Sequence, residues 1–154
     1  MTAAPVAIRT ATPAERAALE ALQLRASLQS GTYAEQLLGA PEVVAIDSAQ
    51  FEAGLVRVAE RAGRVRGFAV LLAPDGGACE LDGIFVEPDA MGTGVGRALI
   101  EDAVARARRW GATRIDVVAN PDAWAFYERV GFAGDEVVGT LFGPARRMSL
   151  ALPA

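Results

Sequence analysis

At Glu87-Pro88 the hydrophobic period of the chain changes from two to 3.6, and glycines mark the change. Ahead of it, Leu55–Glu60, Arg64–Leu72 and Cys79–Val86 alternate apolar and polar positions and read as strands, with a turn at Ala62-Gly63 and another at Pro74-Asp75-Gly76-Gly77. Behind it, Ile100, Ala103, Val104 and Ala107 recur at helical spacing, which predicts a helix from about Val95 to Trp110 ended by Gly111. Asp102 and Arg106 are expected to pair on its outside at i,i+4. The join is Met91-Gly92-Thr93-Gly94-Val95-Gly96-Arg97. A strand that feeds a helix through alternate glycines restricts the chain to an α/β layer structure and leaves a helix N-terminus open at the strand's end.

The remaining segments fit the same architecture. Val6–Arg9 alternates as a short strand and runs into Thr12-Pro13-Ala14-Glu15, a capping box with Pro at the first helical position. The helix behind it places Ala18, Leu22, Arg25 and Ala26 at helical spacing, widened by Leu19 and Leu24, and should end near Ser30-Gly31. A short helix fits Thr32–Leu38, and Val43–Ala53 has no clear period. Arg114–Ala119 is a strand rich in Val and Ile. Asn120-Pro121 starts a helix through Val130 capped by Gly131, and strands at about 132–138 and 146–150 finish the chain. The order is β-α-α-β-β-β-α-β-α-β-β. No linker or repeat divides it, so one domain over residues 1–154 is expected.

Composition narrows the chemistry. There is no His, and all 15 basic residues are Arg, so triads built on His, His-ligated metals, a Walker lysine and a Schiff-base lysine are excluded. Cys79 is the single cysteine and reads as a small buried hydrophobe, so neither a disulfide nor a metal site is implied. The net charge of −4 speaks against a nucleic-acid partner. No apolar run spans a membrane, and Met1–Pro5 lacks the positive flank of a signal peptide, so a cytoplasmic protein is expected. Arg106, Arg108 and Arg109 read as a solvated helix face, Trp110 and Trp124 as packing residues, and Arg146-Arg147 as charge on an edge strand.

Glycines admit positive φ and close approach of a ligand, and a helix N-terminus offers unpaired N–H groups and partial positive charge to a phosphate. Arg97 in the first turn opposes the helix dipole and is more comfortable with an anion present. The dinucleotide fingerprint needs a Gly or Ala where this chain has Arg97 or Leu99, so that reading is disfavoured.

Gly94-x-Gly96, closing a six-residue loop after a strand, resembles the acetyl-CoA loop of the GNAT family of N-acetyltransferases, whose pattern is Gln/Arg-x-x-Gly-x-Gly/Ala. Asn120-Pro121-Asp122-Ala123-Trp124-Ala125-Phe126-Tyr127-Glu128-Arg129-Val130-Gly131-Phe132 resembles the family's second motif. The order and separation of the two motifs match, as does the element order over nearly the whole chain. The departure is Met91, where the family usually has Gln or Arg. The resemblance implies the GNAT fold: a mixed, mostly antiparallel central sheet of about six to seven strands flanked by about four helices. It implies acetyl-CoA as cosubstrate, no metal, and direct acetyl transfer to a primary amine of a small molecule or peptide; dimers are common in the family. A non-catalytic acyl-CoA-binding or sensory domain of the same fold is the alternative.

The resemblance also assigns roles. Tyr127 is the expected general acid for the departing thiolate. Glu80 and Asp82, which period two puts on one face with Ile84 and Val86, are candidate bases, with a water relay as the other option; they equally suit binding a substrate cation, pairing with an Arg, or facing water. Backbone around Ile84, Phe85 and Val86 is expected to hold the cofactor arm and supply the N–H for the developing oxyanion, with Gly83 marking a bulge. Met91, Gly92, Thr93, Gly94, Val95, Gly96 and Arg97 would hold the diphosphate. Asn120 would touch the arm, cap its helix, or both.

Overall fold

The computed structural model describes residues 4–29, 45–140 and 143–153. Strand β1 (Val6–Thr10) leads to Thr12, whose amide donates to the Glu15 carboxylate at 2.9 Å and so fixes the start of a 3-10 turn running into helix α1 (Arg16–Gln29). Helix α2 (Ser48–Glu52) lies in the stretch without a clear period. It is nucleated by Asp47, whose side chain accepts from the Ala49 amide at 2.9 Å. The helix expected over Thr32–Leu38 lies outside the described residues. Strands β2 (Val56–Arg61), β3 (Arg64–Leu71) and β4 (Ala78–Val86) form a meander. Helix α3 (Val95–Arg109), β5 (Arg114–Ala119), α4 (Trp124–Arg129), β6 (Ala133–Thr140) and β7 (Gly143–Ala151) follow, α4 after a 3-10 turn at Pro121–Ala123.

The seven strands form one sheet in the order β1-β2-β3-β4-β5-β7-β6, antiparallel except between β4 and β5. Helices α1 and α2 cover one face over Leu19, Leu22, Phe51, Val56, Val58, Phe68 and Val70. Helices α3 and α4 cover the other over Leu71, Cys79, Leu81, Leu99, Ala103, Ile115, Val117, Tyr127 and Phe132. Burying each large aliphatic or aromatic side chain stabilises by about 1.5–3 kcal/mol, so both faces hold their helices firmly.

Tertiary contacts redirect several residues. Leu19 and Leu22 form the buried stripe of α1, whereas Ala18 and Arg25 are exposed. Asp102 and Arg106 do not pair with each other. Asp102 accepts from Arg57 of β2 at 2.8 and 3.1 Å, and Arg106 is buried, donating to the Gly54 carbonyl at 3.0 Å and covering the Trp110 ring. Arg106 therefore leaves the solvated face, because a β2 guanidinium reaches the carboxylate first. Trp110 is 38% exposed and packs on that cation. Strand β7 is interior and β6 is the edge, so Arg146 lies over Trp124 and Arg147 pairs with Glu136 of β6.

The largest redirection is in β4. Leu71 pairs with Leu81 and Val70 with Gly83, which leaves Asp82 as the extra residue of a β-bulge. The bulge inverts the alternation. Cys79 and Leu81 face α3, but beyond the bulge Ile84 and Val86 take that face while Phe85 turns to the α1–α2 side. Glu80 and Asp82 thus do not share a face with Ile84 and Val86, as an unbroken period of two requires.

Candidate active site

Strands β4 and β5 pair over three positions only, Ala78–Arg114, Cys79–Ile115 and Glu80–Asp116. Past Glu80 they separate: β4 keeps its ladder with β3, and β5 keeps its ladder with β7 as far as Ala119. The gap opens toward the ends of both strands. Among the described residues nothing pairs with one edge of β4 there. Glu87 N donates to Arg66 O at 2.9 Å, and the alternation of an antiparallel ladder then turns the N–H groups of Phe85 and Gly83 toward β3 and those of Ile84 and Val86 toward the gap. Of the backbone donors expected around Phe85 and Val86, the fold makes Val86 available and spends Phe85 on the sheet.

The glycine loop sits at the mouth of the gap. Gly92 and Gly94 have φ of +76° and +95°, and Gly94 is the N-cap of α3. A Cβ at either would meet nothing within 4 Å, so the loop faces open space. Residues 91–94 form a turn, and within α3 Ala98 N donates to Gly94 O at 3.0 Å. The first amides of α3 have no intrahelical acceptor, and donors of this kind at a helix N-terminus suit an anion. Arg97 is exposed on the first turn and forms no ion pair among the described residues. Met91 is 48% exposed and brings no charge.

Helix α4 abuts the loop through Phe126. A Cβ on Gly96 would come within 2.9 Å of the Phe126 ring and 3.8 Å of Val86, so α3, α4 and the end of β4 meet at one point. The next residue is Tyr127. Its ring lies edge-on to Phe126 and Phe132, with centroids 5.4 and 5.3 Å away, and it is 5% exposed. Burial pushes its phenol far above the ordinary tyrosine range. No described group hydrogen-bonds the hydroxyl, and among the described residues no buried side-chain oxygen lacks a partner, so the oxygen itself is not sealed in. Asn120 precedes α4 with extended backbone and makes no side-chain cap; its main chain turns the corner by accepting from Ala123 N at 2.9 Å. The expected capping role is thus absent, and the exposed carboxamide is available.

Across the sheet, Glu80 and Asp82 are both exposed on the α1–α2 side. Asp82 accepts from Gln50 Nε2 of α2 at 3.3 Å. It borders a pocket of about 220 Å³ lined by Gln23, Ile46, Gln50, Phe68, Gly83 and Phe85, among others. Gln23 and Gln50 carried no signal in the sequence, since a helix amide has many uses until its neighbours are known. Cys79 is fully buried, and burial pushes its thiol up, so it is no nucleophile. Among the described residues no cluster of metal-ligating side chains occurs, and no helix is long and apolar enough to cross a membrane.

The site is thus a half-split sheet with the N-terminus of α3 at its mouth. Residues 17–132 match the model of the acetyltransferase (GNAT) family, and the chain belongs to that family. A phage relative, the 5-NmdU N-acetyltransferase of Pseudomonas phage PaMx11, is 35% identical over 104 residues, 64% of this chain and 72% of that protein. The chain spans only 27% to 51% of the length of the first curated relatives it matches. Among solved structures, a GCN5-related N-acetyltransferase of Rhodopseudomonas palustris superposes with a TM-score of 0.82 at 26% identity, covering 99% of both chains. The PaiA N-acetyltransferase of Thermoplasma acidophilum, solved with coenzyme A, superposes at 0.79 over 96% of this chain and 99% of that one. At 16% identity the latter shares the fold.

Proposed function

We propose that the chain transfers the acetyl group of acetyl-CoA to a primary amine of a small molecule or peptide. The observation that carries this reading is the N-terminus of α3, entered through the positive-φ glycines Gly92 and Gly94, beside the β4–β5 gap. Its first amides, with the open space before Gly92 and Gly94, suit a diphosphate, and Arg97 adds a charge of the right sign. The gap-facing amides of Ile84 and Val86 suit the amide-bearing arm, and the Asn120 carboxamide lies at the far strand's end. Acetyl-CoA supplies the acetyl group as a thioester. The Val86 N–H, fixed on a paired strand, stabilises negative charge that develops on the carbonyl oxygen. Tyr127 holds its proton across the physiological range because burial disfavours the phenolate, and it gives that proton to the departing sulfur.

The acceptor enters from the α1–α2 side. Asp82 is the one formal charge among the described residues that line the pocket there, beside the amides of Gln23 and Gln50, which fits a cationic amine better than an amino acid carboxylate. Glu80 or Asp82, or water held by them, removes the amine proton. Acid and base thus work from opposite faces of the sheet and meet only where the sheet is split.

Thermal shift with acetyl-CoA beside NADPH and ATP tests the reading. Ligand at 100 times Kd adds about 2.7 kcal/mol, a shift of roughly 5–10 °C for this size. A shift with acetyl-CoA, followed by thiol release on a panel of amines, supports the enzyme. Binding without thiol release on any amine indicates a cofactor-binding domain, and no shift at millimolar acetyl-CoA overturns both.

A further inference from the structure

The segment that carries the glycine loop has little apolar anchorage; Ala90 is the buried residue of the 3-10 turn Pro88–Ala90. Arginines from three elements hold it instead. Arg25 of α1 donates to the Glu87 carboxylate through Nε at 3.3 Å and through Nη2. Arg66 of β3 pairs with Asp89, a side chain 76% exposed and therefore well screened. Arg61, the last residue of β2, makes the contact that enters the loop itself. Its Nη1 donates to Thr93 Oγ1 and its Nη2 to the Thr93 carbonyl, both at 2.9 Å, while Nε donates to the Ala4 carbonyl at 2.8 Å. Thr93 Oγ1 in turn donates to the Ala90 carbonyl at 2.5 Å.

Thr93 stands between the two glycines of positive φ, where the backbone has the most freedom to lose on binding. A trans peptide sets its C=O and N–H on opposite sides. With the Thr93 carbonyl drawn toward Arg61, the Gly94 N–H points away from it. We propose that Arg61 is a positioning residue that presets the Gly94 amide for the cofactor's diphosphate and places a guanidinium beside a loop whose first position, Met91, is uncharged. This rests on the acetyl-CoA reading above.

The test compares Arg61→Gln and Arg61→Lys with the unmodified protein, using acetyl-CoA and acetyl-pantetheine, a donor without the diphosphate. Arg61→Gln should raise KM for acetyl-CoA about tenfold, the scale of one charge-assisted hydrogen bond, with kcat changed less than about twofold. The ratio of kcat/KM for acetyl-CoA over acetyl-pantetheine should fall by a similar factor, and Arg61→Lys should restore part of it. Thr93→Val, which removes the hydroxyl that accepts from Arg61 and donates to the Ala90 carbonyl, should move the ratio the same way and covers the case in which Arg61→Gln fails to fold. An unchanged ratio, or equal losses with both donors, overturns the inference while the acetyl-CoA reading stands. Failure of the unmodified protein to bind coenzyme A by calorimetry overturns both.

Discussion

Replacing Tyr127 by Phe removes one oxygen and separates a catalytic from a packing tyrosine. The ring is held edge-on by Phe126 and Phe132 and is 5% exposed, all of which phenylalanine reproduces. The hydroxyl gives up no hydrogen bond to a described group, so the stability change should stay within about 1 kcal/mol, or about 2–4 °C in Tm for a chain of this size. Loss of a general acid is far larger: about 10²- to 10⁴-fold in turnover, equivalent to about 2.7–5.5 kcal/mol of barrier. The assay is thiol release at saturating acetyl-CoA and amine, with Tm measured on the same samples. Because burial raises the phenol above its ordinary range, any alkaline limb of kcat below about pH 10 should persist in Tyr127→Phe and belong to another group. A kcat within about threefold of the unmodified protein refutes the general-acid role. A fall in Tm above about 5 °C refutes the claim that the hydroxyl is structurally idle.

Two further outcomes follow from geometry away from the reacting atoms. Gly67→Ala puts a Cβ 2.8 Å from the Phe85 carbonyl and 3.0 Å from Val95, wedging β3 from β4 and pressing on the first residue of α3. It should cost about 2–3 kcal/mol and lower Tm by roughly 5–10 °C, whereas Gly139→Ala, with nothing within 4 Å, should shift it by less than about 2 °C. Glu15 accepts from both terminal nitrogens of Arg9 at 2.8 Å, which draws its carboxyl down from 4.5 to about 2. A depressed carboxyl stabilises the fold above its unfolded pKa and loses that contribution as pH falls through the folded one. Stability measured by urea unfolding should therefore drop by about 1–2 kcal/mol between roughly pH 4.5 and 2, after allowance for solvent screening. Glu15→Gln should flatten that part of the profile; an identical slope in the variant sinks the assignment.

The sequence by itself determined the elements from β2 to β7 and the glycine loop, because these rest on local physics, and it carried the Asn120–Phe132 motif as a family resemblance. Period two and period 3.6 are properties of neighbouring residues, and Gly92, Gly94 and Gly111 adopt the positive φ that only glycine takes without strain. Asp47 shows the limit of that reading: it caps α2 within a stretch whose hydrophobic period is silent, since five residues are too few to display one. The partners of charged residues were decided by tertiary structure. Arg57 reaches Asp102 from a strand 45 positions away, which buries Arg106 and leaves it to a carbonyl and a tryptophan ring. The bulge at Asp82 is of the same kind. It depends on the register of β3 against β4, and one extra residue there turns Ile84 and Val86 to the α3 face while Glu80 and Asp82 stay on the other. The split between β4 and β5, the Arg61 brace on Thr93 and the pocket shared by Gln23, Gln50 and Asp82 all join segments far apart in the chain. Propensity and periodicity describe a residue and its near neighbours; which distant groups share a gap is set only when the layers pack.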